Sequence, residues 1–194
     1  MEHLLSICMG IALAACCGFR VFVPLLVASL GTKFGLITSH TGFEWLGSWT
    51  AVSIFGTASI LEIGAYYVPL VDHFLDSLTT PLSMIAGTAL ASSFFTDFFE
   101  GIPSLKWVLG VIVGGGSAGM VQAGTAMARV GSTATTGGLG NPILSTIENA
   151  MSVFFSALSL LIPVIVGFVF VISFLIIGWF LIRKFSRKQT LKTI

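Results

Sequence analysis

The sequence predicts an all-helical bundle that lies in a membrane, and three observations support this prediction. Only 9% of the 194 residues are charged, 55% are hydrophobic, and the mean hydropathy is +1.01. The surface of a soluble domain needs far more charge than this. Several apolar stretches are also long enough to cross a bilayer, which takes about 20 helical residues. A net charge of +1 gives no basis for binding nucleic acid.

Six spans are expected in one integral membrane domain, residues 1–194. The first runs from about Leu4 to Leu30, with Gly18 and Pro24 as its bend points. The next three are expected at about 49–67, 81–99 and 105–128, after a polar loop at 31–48 and an amphipathic interfacial helix at 71–78. Residues 143–182 are too long for one span, so the fifth and sixth divide near Pro163. In the alternative, residues 143–160 form a re-entrant or interfacial helix, and five true spans remain.

The six spans suggest a weak internal repeat. The small residues of Gly10–Gly18 resemble those of Gly110–Gly119, and Thr80-Pro81 and Asn141-Pro142 each open an apolar helix. Two groups of three spans would then be inverted relative to each other, an arrangement that is common in transporters.

The charged tail sets the expected orientation. Residues 183–194 form a basic tail, and 183–188 hold four of the nine basic residues, which places the C-terminus in the cytoplasm. The expected location is therefore a bacterial cytoplasmic (inner) membrane. With six spans the N-terminus is cytoplasmic too. Two aromatic belts are expected, the outer one made of Trp45, Trp49 and Trp107 and the inner one of Tyr66, Tyr67 and Trp179.

Charged residues inside apolar segments are the first functional candidates. Arg20 lies in the first span, where a guanidinium either marks a functional site or extends to the lipid head groups. Glu62 lies in the second span, where it is either paired or able to carry a proton. Glu148 and Asn149 lie two turns into the fifth span, and Gln122 is the polar residue of the fourth. Glu148 is a second candidate for coupling transport to protons.

A small acidic group follows the second span. Asp72 and Asp76 share a helix face, and His73, which titrates near neutrality, lies beside them. A proton relay is one interpretation. The alternative is that Asp72 caps a helix and that the group faces water.

The most unusual stretch holds four hydroxyl side chains and four glycines within residues 131–141. Glycines let backbone N–H groups converge, hydroxyls donate hydrogen bonds, and the start of the next helix adds its dipole, so this composition suits an anion. The alternative is a flexible loop. The predicted substrate-binding residues are Arg20, Arg129, Ser132, Thr133, Thr135, Thr136 and Asn141. No metal site and no cofactor are predicted.

The fourth span carries small residues at helical spacing, which predicts close packing against a neighbouring helix. The residues are Gly110, Gly114, Gly115, Gly119 and Ala123. The same face offers a contact for a homo-oligomer.

Three motifs stand out in the chain: Gly18-Phe19-Arg20, the stretch Val71–Asp76, and the run Ser132–Pro142. With these motifs the chain resembles a family of small bacterial and plastid integral membrane proteins classified as a domain of unknown function, and the likeness covers roughly residues 5–165. The resemblance implies a helical membrane protein and no defined activity.

Three functions are therefore considered. The first is a small secondary transporter or lipid flippase for an anionic substrate, either a solute or a lipid head group, with protons as the coupling ion. The second is a membrane assembly or structural component that transports nothing. The third is an intramembrane enzyme that acts on a lipid phosphate, although the sequence shows no nucleophile–base pair.

Overall fold

The computed structural model describes residues 2–38, 42–95 and 102–190, and helices make up most of this part of the chain. Side chains are described for these residues apart from 2, 69, 70, 72, 73, 76, 103, 181, 182 and 184–190. The α-helices are α1 Glu2–Cys16, α2 Phe22–Lys33, α3 Trp49–Ala65, α4 Pro69–Phe94, α5 Pro103–Leu109, α6 Gly116–Thr136, α7 Asn141–Leu161 and α8 Pro163–Thr190. A 3₁₀ turn covers Glu44–Gly47, and a π-helical stretch, Gly110–Gly115, joins α5 to α6.

Three helical stretches in the described part are long and apolar enough to cross a membrane: Ser104–Thr136, Asn141–Leu161 and Pro163–Phe180. Shorter apolar helices cover His3–Cys16, Phe22–Lys33 and Trp49–Ala65. The all-helical class is confirmed, and these lengths are compatible with a membrane protein. The six spans and the inverted repeat are not confirmed.

The directions of α4, α6 and α7 follow from their contacts. Gln122 of α6 donates a hydrogen bond to Thr79 in the first half of α4 (3.2 Å), whereas Gly114 lies against Gly87 further along α4. These two helices are therefore antiparallel. A tight turn, residues 137–140, joins α6 to α7, and the two helices pack side by side, so they are also antiparallel. It follows that α4 and α7 run in the same direction.

The first apolar segment contacts α4 in the opposite sense. Gly10 lies against Phe94, and Ala14 packs in one cluster with Ala91. Later residues of α1 therefore contact earlier residues of α4. The two helices are antiparallel.

The second half of that segment runs the other way. Arg20, just before α2, contacts Glu148 near the start of α7, and Gly31 near the end of α2 lies against Leu160 near the end of α7. Thus α2 is parallel to α7, and α1 and α2 point in opposite directions. The predicted single span from Leu4 to Leu30 is wrong: this segment is a helical hairpin with its tip at residues 17–21.

Local chemistry explains the reversal. Gly18 sits against the backbone of α6, where a Cβ would overlap the carbonyl oxygen of Ala118 and lie 2.9 Å from the amide nitrogen of Gln122. Only glycine permits that approach. Pro24, predicted as a bend, lies in the first turn of α2, where a missing N–H costs nothing. The predicted bend at Gly18 is confirmed as a full reversal.

The other helix boundaries differ from the prediction in two places. The expected interfacial helix at 71–78 and the third span are one continuous helix, α4, with Pro81 inside it. The fourth span continues from α5 through α6 to Thr136, beyond the predicted end at Ala128. The predicted division near Pro163 is confirmed, because α7 ends at Leu161 and α8 begins at Pro163.

The glycines of the fourth span pack against α4 of the same chain. A Cβ at Gly87 would lie 2.7 Å from the carbonyl oxygen of Gly114, and a Cβ at Gly115 would lie 2.8 Å from the Thr88 hydroxyl. Gly119 lies against the side chain of Met84. The predicted close helix packing is therefore found, while a homo-oligomer through the same span stays a prediction.

Candidate functional site

Arg20 lies at the tip of the hairpin with only 2% of its surface exposed. Its Nη1 donates to Oε2 of Glu148 (2.9 Å) and to the carbonyl oxygen of Phe19 (3.0 Å). Its Nη2 donates to the carbonyl oxygen of Ser145 (3.2 Å), and its Nε donates to Oδ1 of Asn149 (2.5 Å). All three guanidinium nitrogens are thus bonded, mainly to the first turns of α7. The guanidinium therefore points into the bundle.

A second arginine reaches the same carboxylate. Arg129 of α6 is 3% exposed, and its Nε and Nη2 donate to the two carboxylate oxygens of Glu148. The guanidinium carbons of Arg20 and Arg129 lie 3.9 and 4.3 Å from the centre of the Tyr66 ring. The two arginines therefore share one carboxylate and one aromatic ring, a combination of ion pairing and cation–π attraction. We call Arg20, Tyr66, Arg129 and Glu148 the arginine cluster.

Tyr66 was expected in the inner aromatic belt, and that prediction is wrong. The side chain is 3% exposed, and its hydroxyl lies 3.0 Å from Oγ1 of Thr79. Its neighbour Tyr67 is 44% exposed, as a rim residue would be. The chain turns after Ala65, so one of two adjacent tyrosines faces inward and the other outward.

Glu62 binds the start of α2. One carboxylate oxygen accepts the N–H of Val21 (2.8 Å), and the other accepts the N–H of Phe22 (3.0 Å). These N–H groups have no partner within their own helix, and a carboxylate also complements the helix dipole there. Glu62, 5% exposed, therefore fixes the position of the hairpin tip. The predicted pairing is realised with backbone amides.

Polar contacts extend from the arginine cluster toward the surface. The Tyr67 hydroxyl lies 3.0 Å from Oγ1 of Thr146. The same Tyr67 hydroxyl accepts a hydrogen bond from Nδ2 of Asn149 (3.3 Å). Asn149 thus joins Arg20 to an exposed tyrosine. On the other side, Gln122 donates to the Thr79 hydroxyl that also contacts Tyr66. The cluster belongs to a network that involves α3, α4, α6, α7 and the hairpin tip.

The hydroxyl run is helical, which corrects the expected polar connector. Because α6 continues to Thr136, Thr135 and Thr136 donate to carbonyl oxygens of their own helix, those of Gly131 (2.9 Å) and Ser132 (2.8 Å). Both threonines are exposed, and Ser132 and Thr133 are half-buried. None of the hydrogen bonds found between described residues joins this run to Arg20.

The backbone amides of the following turn are also engaged. Gly137 adopts φ +65°, the left-handed conformation that ends helices, and its N–H bonds the carbonyl oxygen of Thr133 (3.0 Å). The N–H of Gly140 bonds the Thr136 hydroxyl, and the side-chain amide of Asn141 donates to the Thr133 hydroxyl (3.2 Å). The turn therefore uses these donors within the chain, and anion binding by the run stays a prediction.

Asp72, His73 and Asp76 belong to the first turns of α4, but their side chains lie outside the described ones. The proton relay predicted for them is neither supported nor opposed. Among the described residues, no group of three or more His, Cys, Asp or Glu side chains could hold a metal ion.

The structure thus unites Arg20, Arg129 and Glu148. Glu62 of α3 lies next to this group, because it bonds the N–H of Val21, the residue that follows Arg20. Two further residues of this site, Tyr66 and Asn149, are not among the predicted site residues. A signal for Asn149 was present, since adjacent polar residues two turns inside an apolar helix both need partners. For Tyr66 the signal was misleading, because a Tyr-Tyr pair at a span end is typical of an interface.

Comparison with known proteins gives one result on the family. A family model described as a domain of unknown function (DUF4126) matches residues 7–184. The resemblance to a domain of unknown function, predicted from the three motifs, is confirmed, and the match extends past residue 165 into α8. No curated protein and no solved structure matches the chain.

Proposed function

The chain belongs to the DUF4126 family, and we propose that it is a small secondary transporter or lipid flippase for an anionic substrate. The observation that carries the proposal is the pair of buried guanidiniums that share the single carboxylate of Glu148 at the tip of a helical hairpin. Non-helical backbone at membrane depth is tolerated where it lines a protein cavity, and transporters place substrate sites at such interruptions.

We propose a topology of five crossings and one re-entrant hairpin. The crossings are α3, α4, α5–α6, α7 and α8, and the hairpin is α1–α2. A 15-residue α1 and a 12-residue α2 are about 22 and 18 Å long, so the tip would pass about two-thirds of the way through a 30 Å hydrocarbon core. With the basic tail in the cytoplasm of a bacterial inner membrane, the N-terminus lies on the outer side. Reporter domains fused to the two termini should therefore report opposite faces, and the same face would overturn this topology.

In the proposed mechanism, Glu148 occupies the site that the substrate takes. A carboxylate or phosphate group matches the paired N–H donors of a guanidinium, as Glu148 does. When Glu148 takes up a proton, it no longer neutralises Arg20 and Arg129. A monovalent anion can then replace it with no change in the total charge of the site. This exchange links one anion to one proton and gives a physical basis for proton coupling.

The second candidate, a structural component, also has an observation in its favour. Every guanidinium nitrogen of Arg20 already has a partner within the chain. In that case the cluster only fastens the hairpin to α6 and α7. The two functions differ in one measurable respect, which is whether an added anion competes with Glu148.

The test is thermal unfolding of the purified protein in detergent with inorganic phosphate, acetate or phosphatidylglycerol, each compared with chloride at equal ionic strength. We expect at least one anion to raise the unfolding temperature of the unmodified protein and Arg20→Gln to abolish that shift. Arg183→Gln is the matched control, because Arg183 is an exposed residue of α8 that stacks on Trp179. It should keep the full shift.

Arg20→Lys is a second variant, in case Arg20→Gln loses the anion effect only because it does not fold. It keeps the charge but loses the planar fork, so it should fold and show a weaker anion effect. Absence of stabilisation of the unmodified protein by all three anions, with Arg20→Gln merely less stable, would support the structural component and reject the transporter.

A further inference from the structure

The buried face of α7 carries a line of polar residues that continues outward from the arginine cluster. Ser145, Glu148, Ser152, Ser156 and Ser159 follow each other at intervals of three or four residues, so they share one helix face. The four serines are 0% exposed. From Ser145 to Ser159 the line is about 21 Å long, roughly two-thirds of a hydrocarbon core.

Most of these hydroxyls lack the bond that a helical serine normally makes. Ser159 donates to the carbonyl oxygen of Phe155 (2.6 Å), which is the usual arrangement within a helix. The hydroxyls of Ser145 and Ser152 have no hydrogen-bond partner within the described part of the chain. That of Ser156 has no oxygen or nitrogen partner and faces the thiol of Cys16, a weak hydrogen-bonding group.

A second helix shows the same feature beside the cluster. Ser59 of α3 is 4% exposed, and its hydroxyl also lacks a partner among the described residues. It lies one turn before Glu62, on the same face of α3. Unpartnered buried hydroxyls therefore approach the hairpin tip from two independent helices.

Close packing alone does not account for these serines. A buried hydroxyl without a partner destabilises the fold, whereas alanine packs as tightly and forms helix better. Ser156 faces Cys16, and α1 packs against α7, so this part of the line faces α1, the first arm of the hairpin. Water would supply the missing partners if α1 and α7 separated.

We infer that the seam between α1 and α7 opens to water and forms the route between the arginine cluster and the outer face. The route begins at Glu148, follows Ser152, Ser156 and Ser159, and ends where α7 ends at Leu161. Its occupants are water and the hydrated anionic group of the substrate. This inference rests on the proposed function and adds the path by which the substrate reaches Arg20 and Arg129.

The test uses single cysteines in intact membranes, after Cys8, Cys16 and Cys17 have been replaced by alanine. A charged, membrane-impermeant thiol reagent is added from the outer side. We expect Ser152→Cys and Ser156→Cys to react. The matched controls are Ala150→Cys and Ala157→Cys, small exposed residues on the opposite face of the same helix, which should contact lipid and stay unlabelled.

Equal labelling of all four positions, or labelling of none, would overturn the route. Ser152→Ala provides a second measurement: it should lower the rate of anion-coupled proton uptake into liposomes at least threefold without lowering the unfolding temperature. Unchanged uptake with a raised unfolding temperature would mean that the hydroxyl is merely an unpaired buried group. If the unmodified protein binds no anion but the thiol reagent still labels Ser152→Cys, the proposed function would be rejected and the water path would stand.

Discussion

The hairpin tip and the glycine contact, where Gly87 of α4 meets Gly114 of the π-helical stretch, hold the bundle together in opposite ways. At the glycine contact, the two backbones approach closely because neither residue has a side chain. At the tip, the backbone is interrupted, and Arg20 is held by four directed hydrogen bonds, one of them to a carboxylate 128 residues away. The glycine contact needs only the absence of side chains, whereas the hairpin tip needs several polar groups with matching geometry and charge. The glycine contact can therefore stabilise the bundle without having a function, while the tip contains the groups that could bind a substrate.

Removing the shared carboxylate should have the largest effect on this comparison. Glu148→Leu leaves two buried guanidiniums without their common partner, and breaking a buried ion pair typically costs about 3–5 kcal/mol. We expect a loss of that size in the free energy of unfolding, measured by denaturant titration in detergent. Glu148→Gln keeps the shape and the acceptor oxygen and should cost clearly less. Equal stability of Glu148→Leu and the unmodified protein would show that the cluster is not what holds the tip.

The glycine contact should respond to volume instead of charge. Gly114→Val places a side chain against Gly87 and Ala91, and overpacking of this kind costs about 1–3 kcal/mol. Gly124→Val is the matched control, because a Cβ at Gly124 meets nothing within 4 Å. Thermal unfolding of the two variants, side by side, measures the difference. A similar loss in both would attribute the effect to helix propensity and not to the contact.

The same contrast explains how much could be predicted from sequence. The glycine contact was predictable, because its residues lie at fixed intervals on one helix and the physics of close approach is local. The division at Pro163 was predictable for the same reason. Arg20 and Glu148 were singled out because charge is costly in lipid. Their pairing was not predictable, because 127 residues of chain separate them and no local rule selects one partner among several.

The hairpin was missed for a related reason. Leu4–Leu30 is apolar throughout apart from Arg20, and length alone favours a tilted span. At the reversal, Glu62 of α3 accepts the N–H groups of Val21 and Phe22, and this contact between distant parts of the chain has no local signal in the sequence. The hydroxyl run was misjudged because its composition suits both a loop and the last turns of a helix. The left-handed glycine that ends α6, Gly137, lies at the middle of the run and not before it.

Neutralising Glu62 should weaken the tip by a smaller amount. Glu62→Gln retains one oxygen for the N–H of Val21 or Phe22 but loses the charge that complements the start of α2. We expect a loss of about 1–2 kcal/mol in the free energy of unfolding. Amide hydrogen exchange at Val21 and Phe22 should quicken, while exchange in the middle of α6 stays unchanged. Uniform quickening in both regions would mean that the whole bundle, and not the tip, depends on this carboxylate.

The smallest effect is expected at Tyr66, where the ring and the hydroxyl can be separated. Tyr66→Phe keeps the ring but removes the bond with the Thr79 hydroxyl, and it should cost about 1 kcal/mol. Tyr66→Leu also removes the ring on which both guanidiniums stack, and it should cost about 1 kcal/mol more. Denaturant titration of both variants gives the two contributions.

Anion-dependent stabilisation is a separate measurement on the same variants. Because Tyr66→Phe leaves the charges of Arg20 and Arg129 in place, it should keep this stabilisation in full. Loss of that stabilisation in Tyr66→Phe would make the hydroxyl part of the binding site and would shift the site from the guanidiniums toward Thr79 and α4.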